Sequence, residues 1–413
     1  MKGFEEQKMA MARAGDVARV GVVPAGTLEK AADWLVGNFL PLGWIALSTG
    51  MFWIGDRARY HQLYYVLLLT PAVLAVFLYP ARLKTLLASP LLIFFILFGA
   101  YAILSIAWSN SDHSAFSLAK RPFYVLFLFF SGGLLALKSP KRLLFSLKAS
   151  AIIASLLGAV SLAFYMCDGI PDRLSGYGAL HNPLLSSHVY GYFMAFWLAD
   201  WFLRKNPVTP ISLFSGLVFG ALIIATGSRT PLLALAACSV WLMVAHWNRR
   251  SLVLLMLMIL TLGAFLIFYP EGLFSRGTSL RPEIWEEVWQ QILDTPWFGH
   301  GYDASMRIRV PAAATFSDPH NLSLGVFHNL GMIGLALWFS LYISALVFSW
   351  RNRKEPLVMM ASALLVFGLA ASMTEGGSFL SRPTEHWFLL WIPMALLFSA
   401  ELMLRKRGRP HAP

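Results

Sequence analysis

The sequence predicts an all-α polytopic membrane protein with about 12 transmembrane helices. Three observations carry that expectation. Of 413 residues, 57% are hydrophobic and 13% charged, and the mean hydropathy is +0.62, a balance far from that of water-soluble domains. The apolar residues gather in twelve runs, each near the roughly 20 residues a spanning helix needs. Within the runs they do not alternate, which excludes the strands of a closed barrel, the other way to satisfy a backbone in lipid.

Taken in order, the runs cover approximately 36–54, 62–79, 90–108, 122–138, 143–166, 184–203, 210–226, 231–247, 252–270, 321–350, 356–373 and 387–404. The tenth is long enough to extend past a bilayer. Arg and Lys collect on the cytosolic side of membrane proteins. An arrangement with both termini inside places twenty-two of the 33 basic residues there. The net charge of +12 is then topogenic, and its spread over many short segments argues against nucleic acid as a partner. Residues 1–33 lack the apolar core of a signal peptide and read as a cytosolic tail, within which 4–23 is able to lie on a membrane surface. A single transmembrane domain follows over 34–404, with outer loops at 167–183 and 271–320, and a basic cytosolic tail at 405–413. Cys167 falls at an outer helix end and Cys238 inside a span, so no bridge between them is expected.

The larger outer loop is long for a helical bundle, and loops of that length are commonly functional. After Arg281 it contains PEIWEEVWQQILD, where Ile284, Val288 and Ile292 recur at i, i+4 and i+8, with Trp285, Trp289 and Leu293 beside them. That spacing predicts an amphipathic surface helix. Pro282 and three glutamates suit its start, and Asp294, Thr295 and Pro296 its end.

The outer segments hold Arg57, Arg59, Lys120, Arg121, Arg173, Arg229, Arg276, Arg281, Arg307, Arg309 and Arg382. Arginine so dominates this set that ligand recognition is implied, since its planar fork matches phosphate oxygens. Pairing with outer carboxylates is the competing reading for any one of them. Arg229, in the tight turn ATGSRTPLLA between two apolar runs, is the sharpest candidate, because charge near membrane depth is costly. Arg281 opens the amphipathic helix, where free backbone amides also attract an anion.

In SDPHNLSLGVFHNLG, Asp318 reads as an N-cap and Pro319 as the first helical residue, which places His320 in the opening turn of the tenth span. The positive helix end is expected to lower its pKa and keep the imidazole neutral, fit to accept a proton. His328 lies two turns further on and reads as a packed residue. His181, His188 and His300 qualify only by nearness to the outer face.

ATGSRTPLLAL, RPEIWEEVWQQILDTPWFGHGYD and PHNLSLGVFHNLGMIGLALW together resemble the region shared by bacterial O-antigen ligases and O-antigen polymerases. The matching positions are Ser228 and Arg229, Arg281 and Trp285, Pro296 with Gly299 and Gly301, and His320 with Asn321, within residues 225–340. The resemblance implies a periplasmic glycosyltransferase of the bacterial inner membrane. Its donor would be an undecaprenyl-diphosphate-linked glycan and its acceptor the lipid A core oligosaccharide, with membrane lipids around it. One dominant outer loop resembles the ligase more than the polymerase, which joins repeat units instead. No outer segment offers D-x-D or a His/carboxylate cluster with metal spacing, so no metal or cofactor is expected, and protein cations are left to meet the leaving-group charge. In that scheme His320 is the general base, Arg229 and Arg281 hold the diphosphate, Asn321, Tyr302 and Arg382 position, and the anomeric centre inverts. A lipid or solute transporter is the rival class. Transporters gather ionisable groups near mid-membrane, whereas these charges gather at the rim.

Overall fold

The computed structural model describes residues 25–169, 173–204, 209–268, 280–310 and 315–408. Each of the twelve apolar runs falls on a helix. Among the described residues, α1 (Gly26–Phe52), α2 (Arg57–Leu78), α4 (Pro90–Trp108), α5 (Ala115–Lys138), α6 (Pro140–Cys167), α12 (Leu322–Arg351) and α14 (Glu385–Arg407) are long and apolar enough to cross a membrane. The apolar helices α8 (Pro210–Thr226), α9 (Thr230–Ala245) and α13 (Pro356–Ser372) are shorter. α7 (Pro183–Leu203) and α10 (Arg249–Phe268) account for the other two runs. Among the described residues, two helices lie outside them, α3 (Ala81–Leu87) and α11 (Arg281–Asp294), with one antiparallel pair, β1 (Ile308–Arg309) and β2 (Thr315–Phe316). The chain is an all-α polytopic membrane protein.

Proline opens α4, α6, α7, α8, α11 and α13, where its missing N–H is not needed. Ser89, Asn182 and Thr209 cap three of these starts. α1 begins earlier than expected, so 26–33 of the anticipated tail is helical; the surface reading of 4–23 lies outside the described residues. Cys167 and Cys238 are both free, the first exposed and the second buried.

α14 is apolar all round and accordingly enclosed: Ile392, Met394, Ala395, Leu397 and Phe398 are at most 1% exposed. Gly132 and Gly133 bring α5 against it, since a Cβ at either would strike Ser399 or Phe398. Small residues at such crossings let helices approach closely where lipid supplies no hydrophobic drive.

The tenth run is two helices. At Gly331 the backbone leaves helical geometry, with φ 62° and ψ −166°. The freed carbonyls and amide are taken by the segment after α11: His300 N–H donates to His328 O at 3.0 Å, Gly301 N–H to Asn329 O at 2.8 Å, and Met332 N–H to Pro296 O at 2.8 Å. A broken helix at this depth is tolerated because protein, not lipid, completes its hydrogen bonds. Gly299, at φ 69°, lies so close that a Cβ would collide with Gly331 N and Asn329 O. Gly299→Ala adds about 1–2 kcal/mol of left-handed strain to that collision. It is expected to lower the thermal unfolding midpoint by several degrees, while Gly216→Ala, where nothing lies within 4 Å, lowers it little or not at all. Matching midpoints for the two variants would contradict the close approach.

Candidate functional site

α11 supplies one wall. Ile284, Val288 and Ile292 are buried together with Met306, Ile308, Val310 and Phe327, the face their spacing predicted. Trp289 and Leu293 remain about half exposed, so that face is narrower than expected. Trp285 Nε1 donates to Pro319 O at 3.0 Å, which fixes α11 to the segment carrying His320.

His320 does not sit in the first helical turn. Asn321 is the N-cap, its Oδ1 accepting from Leu324 N–H at 3.2 Å, and α12 starts at Leu322. Asp318 instead accepts from His320 N–H at 2.7 Å, and His320 takes a left-handed φ of 48°. Such a backbone in a non-glycine residue is costly and is held by its surroundings. The expected lowering of its pKa is reversed. The hydrogen bond from Nδ1 to Glu375 Oε2, at 3.3 Å, raises it, with Asp318 adding to that and burial and Arg281 opposing. The start of α12 is not the controlling charge, because the Glu375 carboxylate is bonded directly to the ring.

Glu375 is a site residue that the sequence pattern does not single out. It lies in MTEGGSF between α13 and α14, 2% exposed, with Oε1 bound by Arg281 Nη2 and Oε2 by His320. Burial alone would raise its pKa, but His320, His188 and Arg281 together bring it below the usual carboxylate value. Gly376, at φ 88°, and Gly377 make the approach possible: a Cβ on Gly377 would press on Pro319 and Asp318, and Gly325 packs on Gly377 O. A lone acid followed by two glycines at the end of an apolar run was the available signal.

Arg229 comes to the same place by another route. Thr230 Oγ1 and Thr374 Oγ1 lie 3.2 Å apart, so the Ser228–Arg229 turn abuts the residue preceding Glu375. The turn is built on Gly227 at φ 60°. Arg173, in the segment between α6 and α7, covers it, its Nε donating to Thr226 O at 2.7 Å. The Ser228 hydroxyl is buried with no partner among the described residues. Arg281 and His320 meet at Glu375, and the turn that carries Arg229, with Arg173 on it, abuts the residue before that acid.

The remaining candidates are defined by other contacts. Asn321 is 5% exposed and caps α12. Tyr302 is buried, its hydroxyl donating to Leu380 O at 2.7 Å, beside Arg121, which pairs with Asp303 at 2.7 Å. Arg382 is exposed, and its charged neighbourhood is His61 and Tyr65 of α2. His328 bonds Asn329 Oδ1 at 2.9 Å and stacks on His300 at 4.3 Å between ring centroids, the packed role expected of it. Behind Glu375, His188 is fully buried with its ring 6.3 Å from that of His386.

With this geometry in place, two comparisons bear on family. A family model described as O-Antigen ligase matches residues 214–339, which spans the Arg229 turn, α11 and the break in α12. A protein from Pseudomonas aeruginosa named O-antigen ligase is 50% identical over 368 residues, 89% of this chain and 91% of its own length. The chain belongs to the O-antigen ligase family.

Proposed function

We propose that the chain transfers an O-antigen glycan from undecaprenyl diphosphate to the core oligosaccharide of lipid A, at the periplasmic face of the bacterial inner membrane. The observation that carries the mechanism is Glu375 joining His320 to Arg281. Holding Nδ1–H, the carboxylate fixes the tautomer in which Nε2 is free to take a proton, and it steadies the imidazolium that results. An acceptor hydroxyl gives its proton to Nε2 as its oxygen attacks the anomeric carbon. The bond to the phosphate oxygen breaks with its electron pair, and the configuration inverts. Arg281, 30% exposed beyond its bond to Glu375, and Arg229 meet the charge on the departing diphosphate. Arg173 and the Ser228 hydroxyl stand where further phosphate oxygens would lie. Support for the orientation comes from the opposite helix ends, where Arg82, Lys138, Arg405 and Lys406 gather, as expected of a cytosolic face.

The test is reconstitution of purified protein with lipid-linked glycan and core-bearing lipid A. One transfer per acceptor is the expected product; glycan lengthening on the polyprenyl carrier would identify a polymerase, and lipid movement without a new bond a transporter. Arg281→Lys is expected to reduce turnover by about 10- to 100-fold, because a point charge cannot grip a carboxylate and a phosphate with one planar fork. Turnover by Arg281→Lys equal to the parent would remove Arg281 from the donor site.

A further inference from the structure

At the helix ends opposite Glu375, a cavity of about 450 Å³ is lined by Glu29, Asp33, Tyr79, Arg82, Lys138 and Lys406, among others. Its charges are unevenly matched. Asp33 serves two cations, Arg82 at 2.5 Å and Lys138 at 2.7 Å. Arg405 pairs with Glu401 at 2.7 Å. Lys406 Nζ donates to Leu137 O at 2.9 Å and has no carboxylate partner among the described residues. Glu29 has no ion-pair partner among them either. Capping of helix ends explains part of this set, since Arg405 also donates to Ala88 O at 2.7 Å and Lys406 holds the last turn of α5. It leaves a surplus cation and an unpaired carboxylate facing the same space.

A simple anion would answer the first and be repelled by the second. A headgroup carrying both a phosphate and a primary ammonium answers both, and Leu134, Leu137 and Leu402 supply apolar walls beside it. Basic pockets between helix ends on the inner side commonly take lipid headgroups. We propose that this cavity binds the phosphoethanolamine headgroup of a membrane phospholipid, with the phosphate on Arg82, Lys138 and Lys406 and the ammonium on Glu29. The primary ammonium offers N–H donors that a quaternary choline lacks. The site stands on different residues from the glycan-transfer reading and does not depend on it.

The full-length protein, purified in detergent and stripped of lipid, would be titrated with dioleoyl phosphatidylethanolamine, phosphatidylglycerol, phosphatidylcholine and inorganic phosphate. Retention by native mass spectrometry and the thermal midpoint would both be read. Phosphatidylethanolamine is expected to bind about tenfold tighter than the other two lipids, the worth of one charge-assisted hydrogen bond, and free phosphate to leave the midpoint unchanged. Glu29→Gln, at a half-buried position at the start of α1, should erase the preference over phosphatidylcholine without altering the midpoint in that lipid. Lys406→Gln should weaken all three lipids. Equal retention of phosphatidylglycerol with no response to Glu29→Gln, or a midpoint shift from phosphate alone, would overturn the proposal in favour of a plain anion site. No preference among the lipids would overturn it outright.

Discussion

His320→Ala is expected to cut glycan transfer by at least about 10²- to 10⁴-fold, the usual worth of a positioned general base, while lipid-linked donor still binds. The two readouts separate because the diphosphate is assigned to Arg229 and Arg281, on other elements. Folding should survive: His320 lies outside α12, and its removal leaves Asn321 capping that helix. Loss of the imidazole also frees a non-glycine residue from its left-handed φ of 48° only if the backbone relaxes, so His320→Gly is the better control for strain. Both variants inactive with donor binding intact is the expected pattern; turnover near that of the parent in either would take the base elsewhere.

Glu375→Gln should be nearly as damaging, by about 10²- to 10⁴-fold in turnover, although Glu375 touches neither substrate in the proposed scheme. An amide replacing the carboxylate behind a catalytic histidine loses the charge that steadies the imidazolium and can hold the wrong tautomer. The pH profile gives a signature that misfolding would not. Catalysis requires neutral His320, so turnover rises with pH through its pKa, which Glu375 holds above the ordinary imidazole value. Removing that charge lets the pKa fall, and the acid limb of the profile moves to lower pH as the plateau drops. A plateau lost with the limb unmoved would mean that Glu375 only braces Arg281. The double variant with His320→Ala should be little worse than His320→Ala alone, since the two groups act as a unit.

The spanning helices were legible because hydropathy, proline and capping residues act locally, and α11 was legible because its apolar residues repeat at helical spacing. Arg229, Arg281 and His320 could be nominated because charge at the rim of an apolar run has few structural excuses. Glu375 could not be separated from the other outer acids by the same reasoning. Its importance comes from burial and from two contacts across 94 and 55 residues of chain, which a linear pattern does not encode. The start of α12 was misplaced for a related reason: Asp318-Pro319 is a sound opening locally, but Gly377 packs against those residues, they stay outside the helix, and the cap passes to Asn321. The contacts of Tyr302, to Leu380 O, and of Arg382, beside His61, are likewise set by the fold and not by any local pattern.

The break at Gly331 also divides the forces that hold the molecule. Residues 332–351 form a rod of about 30 Å at ~1.5 Å per residue, the thickness of a hydrocarbon layer. Residues 322–330 instead reach both ways: Leu322, Val326 and Leu330 join the bundle core, and Phe327 enters a cap shared with α11 and Val288. Expulsion of water drives cohesion in that cap, at about 25 cal/mol per Å², whereas the bundle beneath coheres through tight packing in a solvent as oily as itself. Urea should therefore loosen the roof over the reaction centre long before it disturbs the floor.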